Sequence, residues 1–174
     1  MASVSECLGR IVLKKPSNPN SFFVCTKWND RNRAIKYCGE RLSRERFKNF
    51  VQQYLEGIKI YFLEEFIEDE RIITFSKTPP SIYELFICIV KQGKFDEFIK
   101  IEKKVKEEVE TKNGFLGRIV LKGLEVNQSI VCTRWQSREI AFSYRGGTIH
   151  RPVLPAFIKN SLDGLQITLL EELD

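Results

Sequence analysis

Short apolar runs separated by turn residues fill both ends of the chain, and the same pattern occurs twice. Residues 8–14, LGRIVLK, return unchanged at 116–122. Residues 24–28, VCTKW, return as VCTRW at 131–135. Chance does not plausibly supply both matches. The sequence therefore indicates an internal duplication, with a first segment of residues 8–66, a connector of residues 67–115 and a second segment of residues 116–173.

Each segment predicts the order strand, turn, strand, turn, strand, helix, strand. Short β-rich runs punctuated by Pro, Asn, Asp and Gly come first and are typical of strands. The helix is predicted by apolar residues at helical spacing, with Ser43 as the N-cap in the first segment and Gly57 after its end. These apolar residues are Phe47, Phe50, Val51 and Tyr54, and in the second segment Leu154, Phe157, Ile158 and Leu162. Closing strands are predicted at 58–64 and 165–170.

The expected fold class is α+β. Two copies of an antiparallel strand-rich unit, each with one amphipathic helix, are expected to pair pseudo-symmetrically around a helical connector. Pairing is expected because a unit of roughly 50 to 60 residues buries too little apolar surface alone and leaves a sheet edge open. A homo-oligomer of such chains is the alternative arrangement.

The connector predicts two helices. The first contains an apolar stripe that could dock a protein partner, formed by Ile82, Leu85, Phe86 and Ile89. The second runs from Phe95 to Val109 and has apolar residues on one side only. A protein-interaction or scaffold role through this stripe is therefore one functional hypothesis.

Basic residues gather in one part of each segment. Residues 27–48 carry eight Lys and Arg against three Asp and Glu, and the second segment repeats this bias between 134 and 159. The connector is acidic, so charge is segregated along the chain. Tryptophan and tyrosine lie inside both basic stretches, either as exposed rings that stack on bases or as core residues.

Basic and aromatic side chains together favour single-stranded nucleic acid, because cations neutralise phosphates and rings stack on unpaired bases. The leading hypothesis is therefore a non-enzymatic protein that binds single-stranded DNA or RNA. Its candidate binding residues are Lys27, Trp28, Arg31, Arg33, Lys36, Tyr37 and Arg44 in the first segment, and Arg134, Trp135, Arg138, Tyr144, Arg145 and Arg151 in the second.

The duplicated unit resembles the superfamily that includes Pur-alpha, Whirly and the transcriptional positive cofactor four. The resemblance covers about residues 8–57 and 116–164, and lies in strands followed by an amphipathic helix with basic and aromatic hairpins. It implies two curved sheets that pair through their helices and present their strands to single-stranded DNA or RNA.

The sequence gives little support for disulfide bonds, a metal site, a histidine-based active site or a phosphate-binding loop. Five cysteines without a Cys-x-x-Cys spacing predict neither a disulfide framework nor a zinc site. The single histidine, His150, aligns with Ser43, which excludes a duplicated histidine-based active site. No glycine-rich phosphate loop is present. We therefore expect no enzyme, no metal and no cofactor. Without a long apolar run or a signal sequence, no membrane association is expected, and the predicted location is intracellular, in the nucleus or cytoplasm.

Overall fold

The computed structural model describes residues 7–69, 81–124, 127–144 and 150–172, with side chains at all of these except 19, 54 and 150–154. Its seven strands form one antiparallel sheet in the order β2-β1-β7-β4-β6-β5-β3. The strands are β1 (Cys7–Lys15), β2 (Asn18–Trp28), β3 (Leu63–Ile67), β4 (Ile82–Val90), β5 (Phe115–Gly123), β6 (Gln128–Trp135) and β7 (Leu162–Glu172).

The sheet curls until its two edge strands approach each other. Lys27 Nζ at the end of β2 lies 2.8 Å from Glu65 Oε1 on β3, although these strands stand at opposite ends of the strand order. The enclosed face carries an apolar core to which all seven strands contribute. Its members are Ile11, Leu13, Phe23, Leu63, Tyr83, Leu85, Ile87, Ile119, Leu121, Ile130, Cys132 and Leu170. Helices cover part of the opposite, outer face of the sheet.

Five helices complete the described part of the chain: α1 (Arg31–Ser43), α2 (Glu45–Tyr54), α3 (Phe95–Glu110), α4 (Arg138–Tyr144) and α5 (His150–Ser161). The apolar stripe of α3 packs on the outer face of the sheet through Phe98, Val105 and Val109. Gly93 and Gly114, at the two ends of α3, have φ of 76° and 79°, a conformation that favours glycine. Asp96 and Glu97 in its first turn suit the positive end of the helix dipole. No described helix has both the length and the apolarity needed to cross a membrane.

The α+β fold class is confirmed, as is the helix predicted from residue 95. The third strand predicted in each segment is wrong, because α1 and α4 occupy those positions and each segment thus has two helices. Asp30 explains α1: its side chain accepts a hydrogen bond of 2.8 Å from the N–H of Arg33 and caps the helix. Ser43 is not the cap of α2, because its hydroxyl donates instead to the Glu40 carbonyl.

The helix predicted around residues 82–89 is also wrong. Those residues form β4, a strand in the middle of the sheet, so the proposed docking stripe does not exist as one surface: Ile82 and Leu85 are buried, while Ile89 is exposed. The first and second segments contribute to the same sheet, with β3 beside β5 and β1 beside β7. The division of the chain at residues 66 and 115 stays a prediction.

Candidate active site

A cluster of polar and aromatic side chains is buried between α3 and the outer face of the sheet. We call it the Arg118 cluster, and its members are Glu84 on β4, Glu102 on α3, Arg118 on β5, Thr133 and Trp135 on β6, and Tyr144 on α4. Each of these residues is at most 7% exposed. Buried ionisable groups in such number are unusual for a core and are typical of functional sites.

Strand register brings the cluster together. Thr133 is paired with Glu84 on one side and with Arg118 on the other, so all three side chains lie at one level on the same face of the sheet. Trp135 follows two residues later on that face. Glu102 lies within the buried stripe of α3, between Phe98 and Val105, and faces the sheet. A charged residue within an apolar stripe was the sequence signal for this site, and it was missed.

Arg118 is held on several sides. Its Nη2 lies 2.6 Å from Glu102 Oε2, and its Nη1 donates a hydrogen bond to the Thr133 hydroxyl. Its backbone N–H donates to Asp69 Oδ2 at 2.9 Å, and its guanidinium lies 5.9 Å from the centroid of the Phe86 ring. These contacts fix the orientation of the guanidinium, which is what a preorganised site requires.

Two N–H donors in the cluster have no hydrogen-bond partner among the described residues. They are Nε of Arg118 and Nε1 of Trp135, both fully buried. Arg118 is paired with Thr133, which lies two residues and about 6 to 7 Å before Trp135 on the same face of β6, so both donors belong to the layer between the sheet and α3. Buried donors without acceptors are rare and costly in native proteins. Acceptor atoms of a bound molecule would satisfy them.

Burial raises the pKa of two weakly acidic side chains in and beside the cluster, Tyr144 and Cys88. Desolvation raises the pKa of the Tyr144 hydroxyl, Glu108 raises it further, and Arg118 opposes the shift. Desolvation also raises the pKa of Cys88 to about 12, with a smaller contribution from Glu102. Both groups are therefore neutral at physiological pH, and Cys88 is a thiol rather than a nucleophilic thiolate.

A cleft of about 330 Å³ opens beside the cluster, between β7, the start of α4 and the turn after β1. Ile82 and Leu169 line it and also pack against the Trp135 and Tyr144 side of the core. Its charged lining residues are Lys15, Arg138 and Glu171. The volume lies at the lower end of the range for small-molecule sites. The described residues contain no group of His, Cys, Asp and Glu side chains that could hold a metal ion.

Most of the nucleic-acid-binding residues that were predicted in the first segment lie on or near the surface. Lys27 and Arg31 are engaged by Glu65 and Glu64 of β3, at 2.8 and 3.7 Å. Arg33 and Lys36 are exposed on α1, and Arg44 is exposed between α1 and α2. The half-buried Trp28 contacts Tyr37, with ring centroids 4.9 Å apart.

The residues predicted from the second segment are placed differently. Arg134 is buried on the enclosed face of the sheet, 3.8 Å from Glu172, and its guanidinium lies over the Tyr83 ring. Trp135 and Tyr144 are buried in the Arg118 cluster, and Arg138 is exposed over Phe142. Arg145 and the side chain of Arg151 lie outside the described residues. The structure does not gather the described candidates of both segments on one outer surface.

Comparison with known proteins found matches among solved structures only. No protein-family model and no curated protein matches the chain. A solved anthrone oxidase-like protein superposes with a TM-score of 0.71 and 15% identity, covering 98% of this chain and 80% of that one. A proposed monooxygenase from Fusobacterium nucleatum superposes with a TM-score of 0.65 and 15% identity, covering 97% of this chain and 77% of that one. A second proposed monooxygenase, from Lactobacillus acidophilus, superposes with a TM-score of 0.61 and 9% identity, covering 95% of this chain and 83% of that one.

These neighbours correct the functional hypotheses. The fold is shared with two proposed monooxygenases and an anthrone oxidase-like protein, so the resemblance to the Pur-alpha and Whirly superfamily is wrong. The predictions of a nucleic-acid-binding function and of single-stranded DNA or RNA as the partner are wrong with it. The same finding overturns the expectation that the chain is not an enzyme. The alternative of a partner docked on residues 82–89 is also wrong, as the position of β4 already indicates.

Proposed function

We propose that this chain is a small-molecule enzyme that oxidises an aromatic substrate bearing a carbonyl or hydroxyl oxygen, at the Arg118 cluster. The observation that carries the proposal is the pair of buried, unpartnered donors, Arg118 Nε and Trp135 Nε1. The likeness in fold to a protein named anthrone oxidase-like and to two proposed monooxygenases supports the same class of chemistry.

The two donors would bind the substrate oxygen and stabilise the negative charge that develops on it when a neighbouring C–H proton is removed. Two carboxylates of the cluster would be candidates to accept that proton: Glu102, which is ion-paired with Arg118, and Glu84, which lies across Thr133 from Arg118. The buried rings of Trp135 and Tyr144, with centroids 5.3 Å apart and planes tilted by 35°, would form apolar aromatic walls against a planar substrate. The cleft beside Ile82 would be the route from solvent.

For a substrate such as anthrone the reaction balances without a further reductant. Dioxygen converts the ring CH₂ group to a carbonyl: one oxygen atom enters the product and the other leaves as water with the two hydrogens. The substrate supplies all four electrons. The task of the protein is to form and hold the reactive anion in a site that excludes water.

The test is oxygen uptake and quinone formation with anthrone as the probe, measured against uncatalysed autoxidation. We expect turnover by the native chain and a loss of about 10² in kcat for Trp135→Phe, which removes one donor and keeps the aromatic ring. Trp28→Phe is the matched control, because Trp28 ends β2 as Trp135 ends β6, and it should retain full activity. Equal activities of the two variants, or no turnover by the native chain, would refute the proposal.

A further inference from the structure

The hairpins β1–β2 and β5–β6 have the same strand register, but they differ in the helix packing on their outer faces. In one, Arg10 is paired with Thr26 and Val12 with Val24; in the other, Arg118 is paired with Thr133 and Val120 with Val131. The outer face of β5–β6 lies under α3. Among the described residues no helix takes the place of α3 over β1–β2, so the two faces allow a direct comparison.

Exposure of matched side chains shows the difference. Val24 is 50% exposed and Val131 is completely buried. Tyr37 is 41% exposed, whereas Tyr144, which aligns with it, is 7% exposed. Phe22 and Leu8, also on the outer face of the first hairpin, are 50% and 55% exposed. Side chains of this kind exposed together mark an interaction surface.

The comparison extends to α2 and α5. Phe157 of α5 is 5% exposed and stacks on Phe98 of α3, with centroids 5.8 Å apart. Phe50, which aligns with Phe157 and lies on α2, is 47% exposed. The residues that α3 covers in one half therefore have exposed counterparts on a strand and on both helices of the other half.

The charge of Arg10 indicates which kind of element would bind to the outer face of β1–β2. Arg118 is neutralised by Glu102, a residue of α3, at 2.6 Å. Arg10 is exposed on the corresponding position, next to Thr26, and has no carboxylate partner within the described ranges. A covering element must therefore supply a carboxylate in register with apolar side chains.

The geometry points to an amphipathic helix as the occupant, bound across the outer face of β1–β2. Its chemistry is that of α3: apolar residues where Phe98, Val105 and Val109 stand, and one glutamate where Glu102 stands, so that the carboxylate meets Arg10. This surface is distinct from the Arg118 cluster, so the inference does not depend on the proposed enzymatic function.

The experiment uses the full chain and a fluorescent peptide with the sequence of residues 95–110, stapled through its solvent-facing side chains so that it is helical before binding. We expect saturable binding by fluorescence anisotropy with a Kd on the order of 10 µM. Arg10→Glu should weaken binding roughly tenfold or more. A peptide carrying Glu102→Arg should bind the Arg10→Glu protein within about threefold of the native affinity, because the charges are reversed together.

The matched control is Lys100→Glu in the protein, which makes the same change of charge at an exposed position on α3 and should leave the affinity unchanged. Val24→Asp, at an exposed position, should abolish binding without unfolding the chain. The inference is overturned if the stapled helix does not bind the native chain. It is equally overturned if Arg10→Glu and Lys100→Glu weaken binding to the same extent, or if charge reversal restores nothing.

Discussion

Breaking the ion pair between Arg118 and Glu102 is the sharpest test of the buried cluster. The closest nitrogen and oxygen are 2.6 Å apart, and the side chains are only 5% and 9% exposed. At an effective dielectric constant of about 20, this separation corresponds to an attraction of about 6 kcal/mol. Part of it is offset by the cost of removing both charges from water. Removing one partner leaves the other buried and uncompensated, so we expect Glu102→Leu to destabilise the fold by about 3 to 5 kcal/mol.

The double variant Arg118→Met with Glu102→Leu separates this cause from general damage to the core. Replacing both charges by apolar groups removes the uncompensated charge, so the double variant should lose less than about 2 kcal/mol. An exposed pair at the start of the same helix is the control: Nζ of Lys94, the N-cap residue, lies 2.8 Å from Glu97 Oε2, with exposures of 46% and 45%. Lys94→Met should cost below about 1 kcal/mol, because solvent screens the pair.

The assay is urea unfolding followed by circular dichroism, with the free energy of unfolding taken by linear extrapolation. If the native stability is low, Glu102→Gln gives a milder single variant that keeps a hydrogen-bonding side chain. Additive losses in the double variant would refute the reasoning. So would a loss for Glu102→Leu no larger than that for Lys94→Met, because the pair at Arg118 would then behave as a solvated one.

Two further predictions concern buried side chains. The pKa of Cys88 is about 12 in the folded chain, against an ordinary value of 9.0. Because folding raises this pKa, the protonated thiol contributes stability that is complete below pH 9 and is lost as the pH rises from 9 towards 12. The free energy of unfolding should therefore fall by roughly 1.4 kcal/mol more between pH 8 and pH 10 in the native chain than in Cys88→Ala, and equal slopes in urea titrations would contradict this. Trp135 is fully buried and Trp28 is half-buried. Acrylamide should therefore quench Trp28→Phe, which retains only Trp135, several-fold less than Trp135→Phe, and the opposite order would contradict the placement of the two indoles.

Some of this architecture is readable from the sequence because it depends on neighbours along the chain. The stripe of apolar residues from Phe95 onwards predicts α3, since a helix with that pattern buries one side. The short β-rich runs that begin at Leu8 and Leu116 predict strands for the same local reason. Local preference misled where tertiary contacts dominate: the apolar run at 82–89 has enough length for either element, and its pairing with β6 and β7 makes it a strand.

The sequence by itself determined the α+β class, the amphipathic helix α3 and two nearly identical strand pairs. Only the tertiary structure decided which of their side chains are buried. Trp28 and Trp135 end almost the same five-residue stretch, VCTKW and VCTRW, yet Trp28 is half-buried and Trp135 is buried under Val105 and Val109 of α3. Alternation along a strand assigns each side chain to a face of the sheet, but burial depends on what packs against that face. That packing comes from residues distant in sequence, which is why Glu102 and the Arg118 cluster appear only in the folded chain.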